Sequence, residues 1–195
     1  MKKLKIDFNA PIILEMTAVS FILLILSMVF GDGVTKFFSI HFTSWLDPLM
    51  YVRLFTHVFA HANWAHFAGN FMMILVVGPI IEEKYGSYRL AFMILVTALV
   101  TGLINIIFFP HIMLLGASGV VFMLILLSSF VNIREGKFPL TVILVAVFFI
   151  GNEVANGLFR QDNISQISHI IGGLCGGAFG IRFHLKTITS KSTTE

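Results

Sequence analysis

The chain has 195 residues, of which 57% are hydrophobic and 12% charged, and its formal net charge is +3. Soluble domains carry about 25% charged residues, so this composition argues against a soluble domain. The small basic excess lies at the ends of apolar runs, and we therefore expect contact with membrane lipid rather than with nucleic acid.

Apolar runs separated by glycine, proline and charged residues predict six transmembrane helices. The predicted spans cover residues 11–30, 64–81, 90–109, 118–131, 139–154 and 167–183. No A-x-A-like cleavage site follows the first run, which we therefore interpret as a span rather than a signal peptide. This predicts an all-α bundle with an N-terminal segment at 1–10, a six-span domain at 11–185 and a polar tail at 186–195, which we expect to be disordered.

The distribution of Lys and Arg predicts the orientation of these spans. With a cytoplasmic N-terminus, ten of these residues lie on the inner side, and only Lys36, Arg53 and Arg160 lie on the outer side. Cytoplasmic loops carry the excess of positive charge in membrane proteins. We therefore expect both termini in the cytoplasm and a multi-pass protein of the cell membrane, most simply a bacterial inner membrane.

The fourth span looks short and begins at Ser118, so the chain before it would form a loop within the membrane. Backbone polar groups cannot face lipid at that depth. We therefore expect other helices to shield this loop, or a water-filled cavity to border it.

Two polar residues interrupt different apolar runs at the same predicted depth. Ser118 lies in Gly116-Ala117-Ser118-Gly119 and His169 begins the sixth span, both toward the outer side. Polar groups within the membrane are costly and often mark function. A serine and a histidine on facing helices can form a nucleophile and its general base.

A third polar cluster precedes and begins the second span, with Asn63 as the expected N-cap. His66 and Asn70 follow four residues apart, on one face of the helix. Their N–H groups, and the backbone N–H of Ser118 at a helix start, are suited to stabilising an oxyanion. We interpret His57 and His61 as hydrogen-bonding residues of the preceding loop.

In these motifs the chain resembles the rhomboid family of intramembrane serine proteases. The motifs are His57-x3-His61-x4-His66-x3-Asn70, Gly116-Ala117-Ser118-Gly119, Ser168-His169 with spaced glycines, Glu82-x3-Gly86, and Arg53. The resemblance implies that Ser118 is the nucleophile and His169 the general base, without a carboxylate. It also implies an oxyanion hole formed by His66, Asn70 and the Ser118 amide.

The resemblance further implies three supporting residues and the class of substrate. Gly116 would shape the loop before the serine, and Phe122 would stack on His169, where the family often has tyrosine. Gly172, with Gly176 and Gly180, has the small-xxx-small spacing that lets helices approach closely, here the sixth span on the fourth. Substrates would be single-span membrane proteins cut near the outer face, with no cofactor and no metal. The sequence does not indicate an oligomeric state.

Other interpretations of these residues stay open from the sequence. Ser118 and His169 could be packing and hydrogen-bonding residues of a catalytically inactive, client-binding protein. His57, His61 and His66 could ligate a metal, although no H-E-x-x-H motif or matching carboxylate accompanies them. A small transporter using Glu15 and Glu153 would require internal repeats, and none is evident.

Overall fold

The computed structural model describes residues 8–131, 140, 143–144, 147–148 and 163–192, with side chains of the last helix from 166 to 183. The described helices are α1 (Pro11–Phe30), α2 (Gly33–Phe38), α3 (Pro48–Thr56), a 3-10 turn (His57–Phe59), α4 (Trp64–Tyr85), α5 (Ser87–Phe108), α6 (Ser118–Ser128) and α7 (Asn163–Ser192). Within those residues the only extended pairing is an antiparallel bridge between Ile40 and Leu114. The described part of the chain is therefore all-helical.

Three of these helices are long and apolar enough to cross a bilayer: α1 with 20 residues, and α4 and α5 with 22 each. This confirms helices at the first three predicted spans and supports an integral membrane protein. The fifth predicted span, 139–154, lies outside the described residues except for five helical positions. Six spans and cytoplasmic termini stay predictions.

Several predicted helix ends are wrong by a few residues. Helix α4 continues beyond residue 81 to Tyr85, because charged residues are tolerated in a last turn, and it ends where Gly86 adopts a φ of 84°. Helix α5 begins three residues early at Ser87, and α6 ends three residues early at Ser128.

Helix α7 continues to Ser192, beyond residue 183 where the sixth span was predicted to end, while the domain boundaries stay predictions. The tail directly follows a packed span, and each residue added to an existing helix gains a backbone hydrogen bond without a new nucleation step. Polarity alone therefore did not end the helix.

Burial shows which helices form the centre of the bundle. Half of the apolar window of α5 is buried, against 33% for α4 and 22% for α1. Ile74 on α4, Met93 on α5 and Leu124 on α6 are each at most 1% exposed. Helix α1 therefore lies at the periphery, and α5 with α6 lies inside.

The segment between α1 and α4 is held in place by polar contacts. The Asp47 carboxylate accepts from the backbone N–H of Leu49 (2.9 Å) and caps α3. Arg53 on α3 donates through Nε to the carbonyl of Phe37 (2.8 Å), which ties α3 to the end of α2. Asn105 on α5 donates to the carbonyl of Ile112 (2.9 Å). These contacts fix the segment between α1 and α4 and the loop between α5 and α6.

A buried carboxylate caps the start of α1. Pro11 at the first helical position has no N–H, and the next two N–H groups, of Ile12 and Ile13, donate to the two carboxylate oxygens of Glu82 at 3.0 and 3.1 Å. Glu82 is 3% exposed and belongs to the last turn of α4. Its negative charge also complements the positive end of the α1 dipole.

Replacing Glu82 with Ala should lower the free energy of unfolding by about 1–3 kcal/mol, because it leaves buried N–H groups without acceptors. Thermal unfolding in detergent measures the effect. Glu83, the exposed neighbour, is the matched control, and Glu83→Ala should change stability by no more than about 0.5 kcal/mol. Equal losses in the two variants would contradict the capping role.

Helices α6 and α7 are in backbone contact along a glycine face. A Cβ at Gly172 would overlap the carbonyl oxygen of Gly119, and a Cβ at Gly176 would overlap that of Met123. The obstructing atoms are backbone, so no side chain can rotate away to make room. Glycine at these positions is therefore required for the observed distance between the helices.

Gly172→Ala should force α6 and α7 apart and cost about 1–3 kcal/mol of stability, as overpacking does in a well-packed core. Gly177 on the same helix is the matched control, because a Cβ there would meet nothing within 4 Å. Gly177→Ala should be at least as stable as wild type, since alanine is the better helix former. The melting temperatures in detergent of the two variants test this, and similar values would argue against backbone contact.

Candidate active site

Ser118 is the first residue of α6, and the loop before it is held by the segment around His57 and His61. The N–H of Gly116 donates to the carbonyl of His57 (2.9 Å), and the N–H of Ala117 donates to Nε2 of His61 (3.4 Å). Ala117 is fully buried. Protein groups thus satisfy this part of the loop, as its predicted depth in the membrane would require.

Gly116 has a conformation that favours glycine. Its φ is +104°, where L side chains are strained. A Cβ there would also lie 2.6 Å from Cε1 and 2.7 Å from Nε2 of His66, and 3.6 Å from the amide nitrogen of Asn70. The loop before Ser118 therefore approaches both His66 and Asn70 closely.

His66 and Asn70 extend from the first two turns of α4. The predicted N-cap is confirmed, since the side-chain oxygen of Asn63 accepts from the N–H of His66 at 2.9 Å. His66 and Asn70 lie one turn apart, and Asn70 is 8% exposed. Cap and helix spacing together direct both side chains toward the serine loop.

His61 makes hydrogen bonds through both ring nitrogens. Nδ1 donates to the carbonyl of Phe59 (3.1 Å), and Nε2 accepts from the side-chain amide of Asn70 (3.1 Å). A carbonyl can only accept, so this pattern requires the neutral tautomer with hydrogen on Nδ1. Burial lowers the pKa of His61 from 6.5 to about 4, as does the nearby His66 to a smaller extent.

His57 is a second buried, neutral histidine of the same loop. Its Nδ1 donates to the carbonyl of Arg53 (3.1 Å), its Nε2 lies 3.4 Å from the Thr101 hydroxyl, and it is 1% exposed. Burial lowers the pKa of His57 to about 4. These contacts confirm that His57 and His61 are hydrogen-bonding residues of the loop.

His169 lies on α7 where that helix meets the start of α6. Its ring centroid is 4.3 Å from that of Phe122, with 38° between the ring planes. The carbonyl of the preceding residue, Ser168, would be 3.4 Å from a Cβ at Gly119, the residue after Ser118.

The structure thus brings the predicted site residues to one region, at the N-terminal ends of α4, α6 and α7. The described residues contain no group of three or more His, Cys, Asp or Glu side chains that could hold a metal ion. The arrangement combines a hydroxyl at a helix start, an imidazole held by an aromatic ring, and N–H donors on α4. Such groups suit acyl transfer. The chemical roles of the individual residues stay predictions.

The sequence did not reveal the partners of His61 or of Thr101. Spacing indicated that His61 belongs to a loop. Its hydrogen bonds, however, join it to Asn70 and to Ala117, which lie 9 and 56 positions further along the chain. Thr101 lies 44 residues from His57 and has no motif of its own. Only the folded arrangement identifies such pairs.

Comparison with known proteins identifies the family. A Rhomboid domain matches residues 48–186. The chain is 29% identical over 140 residues to Rhomboid-related protein 2 of Mus musculus, covering 66% of this chain and 46% of that protein. It is 31% identical over 127 residues to Rhomboid protease GluP of Bacillus subtilis, covering 65% of this chain and 25% of that protein.

A plant relative, the mitochondrial RHOMBOID-like protein 6 of Arabidopsis thaliana, is 27% identical over 129 residues, which is 64% of this chain and 42% of that protein. The matched region spans between a quarter and about half of the length of these curated relatives. The domain match runs from the start of α3 into α7 and includes every residue of the candidate site. The chain therefore belongs to the rhomboid family.

Proposed function

We propose that this protein is an intramembrane serine endopeptidase that hydrolyses peptide bonds of single-span membrane proteins through a Ser118–His169 dyad. The observation that carries the proposal is the backbone contact of α7 with the start of α6, where Gly172 meets Gly119. This contact brings the helix turn that bears His169 beside the turn that bears Ser118. The name of a relative, Rhomboid protease GluP, agrees with this class of activity.

In the proposed first step, His169 removes the hydroxyl proton of Ser118 as Oγ attacks the scissile carbonyl. The tetrahedral intermediate then expels the amine, which takes that proton from His169, and an acyl-enzyme remains. The ring of Phe122, 4.3 Å from that of His169, limits the orientations of the base. Phe122 would thus perform the orienting part of what a carboxylate does in a triad.

Three donors would stabilise the negative oxygen of the intermediate. They are the amide of Asn70, the imidazole N–H of His66 and the backbone N–H of Ser118. The first N–H groups of a helix have no partner within it, and the helix dipole favours negative charge there. Water would then hydrolyse the acyl-enzyme, with His169 as general base, and restore the free serine.

The setting of this chemistry is part of the proposal. We propose six spans over residues 11–185 with both termini in the cytoplasm, a site open to the outer side, and residence in a cell membrane, most simply a bacterial inner membrane. The ten basic residues on the predicted inner side support this orientation. A substrate helix would unwind near its outer end before cleavage.

Labelling by a fluorophosphonate probe tests the proposed nucleophile. Purified wild type in detergent should be labelled and Ser118→Ala should not. His169→Ala should react at least about 10³-fold more slowly, because the serine loses its base. Asn70→Ala should lower the rate of peptide cleavage by about 10² to 10³. Ser128→Ala at the other end of α6 is the matched control and should react like wild type.

Folded wild type that is not labelled, and that leaves a model single-span substrate uncut, would contradict the proposal. The remaining candidate would then be a catalytically inactive, client-binding member of the family. Retention of the substrate in a pull-down, without cleavage, would identify that function.

A further inference from the structure

His61 contacts two of the three proposed oxyanion donors, Asn70 and His66, and the residue before the third, although it is not itself a proposed donor. Its Nε2 accepts from the Asn70 amide at 3.1 Å, and its ring centroid lies 5.0 Å from that of His66. The same nitrogen accepts at 3.4 Å from the N–H of Ala117, the residue before Ser118. One imidazole thus joins the donors on α4 to the loop that carries the nucleophile.

The tautomer of His61 determines the orientation of the Asn70 amide. Because Nδ1 carries the hydrogen, Nε2 has only a lone pair to offer. The amide must therefore present an N–H to His61, since its oxygen would be repelled by that lone pair. This leaves the second N–H of the same amide available for an oxyanion.

The His61 ring has little freedom to move. It is 1% exposed, and its centroid lies 5.6 Å from that of Phe67 and 5.5 Å from that of Phe71. Burial also keeps the imidazole neutral at physiological pH, with a pKa of about 4. A fixed, neutral ring is suited to holding other groups in place, and its lone pair persists over the pH range in which His169 would act as a base.

We propose that His61 is a positioning residue, which holds the Asn70 amide and the Gly116–Ala117 peptide, directly before Ser118, in the relative geometry that the oxyanion hole requires. This inference rests on the proposed function. A misplacement of about 1 Å in such a site can cost about 10²-fold in rate. His61 would thus act on kcat through Asn70, without contact with the substrate.

Two substitutions by amide side chains distinguish the roles of the two ring nitrogens of His61. In His61→Gln, the side-chain oxygen can take the place of the Nε2 acceptor. In His61→Asn, the amide can keep the bond to the Phe59 carbonyl, but nothing reaches Asn70 or Ala117. His111→Asn, at an exposed histidine of an outer loop, is the matched control for removing an imidazole.

The measurement is kcat and KM for cleavage of a model single-span substrate, together with the melting temperature of each variant. His61→Asn should lower kcat by about 10- to 100-fold with little change in KM. His61→Gln should restore most of that loss, and His111→Asn should match wild type. A role in stability alone would lower the melting temperature without this split between kcat and KM.

A double-mutant cycle with Asn70→Ala tests whether His61 acts through that amide. In the Asn70→Ala background, adding His61→Asn should lower kcat by no more than about twofold further. If the double variant instead lost kcat by the product of the two single-variant factors, the inference would be overturned. If His61→Asn does not fold, His61→Phe, which keeps the ring packing and removes both nitrogens, takes its place in the cycle.

The two proposals fail in different ways. Wild type without labelling or cleavage would overturn the proposed function itself. Active wild type, with His61→Asn retaining kcat within about twofold, would overturn only the positioning role. Equal losses of kcat in His61→Gln and His61→Asn would show that the acceptor at Nε2 is not what matters.

Discussion

The backbone contact between α6 and α7 is the constraint on which the candidate site depends. Inside a membrane, helices gain little from hydrophobic burial against one another, because lipid tails are equally apolar. Van der Waals contact between closely packed helices replaces the hydrophobic effect. The two backbones approach most closely where neither helix carries a Cβ, as at Gly119 and Gly172. A serine on one helix and a histidine on the other can share a proton only at such a separation. The small residues would therefore serve the proposed chemistry by setting the distance between the two helices.

A second constraint is the cost of irregular backbone at membrane depth. Helix α6 has only 11 residues, and the chain before it is a loop. This loop is paired to protein groups: Leu114 to Ile40, Gly116 to the His57 carbonyl, and Ala117 to His61. The same bonds determine where Ser118 begins its helix. The hydrogen bonds that satisfy the backbone of this loop thus also define the position of Ser118.

Much of this arrangement could be predicted from the sequence. The parts that could not be predicted have one physical reason in common. Apolar run length located α1, α4 and α5, and side-chain chemistry at helical spacing located His66, Asn70 and the cap at Asn63. The cap of α1 was not predictable, because Glu82 lies in α4 and reaches α1 through a contact between residues 70 positions apart. The hydrogen bonds of His61 could not be predicted for the same reason. Long-range polar pairs leave no periodic signal in a single sequence.

The central claim is that this fold cleaves a peptide bond within the membrane by means of Ser118. The most direct test reconstitutes the protein in liposomes with a single-span substrate and determines the product masses for wild type and Ser118→Ala. The account predicts two fragments from wild type, with the cut near the outer end of the substrate helix, and none from Ser118→Ala. Intact substrate with folded wild type, or the same fragments from Ser118→Ala, would contradict it.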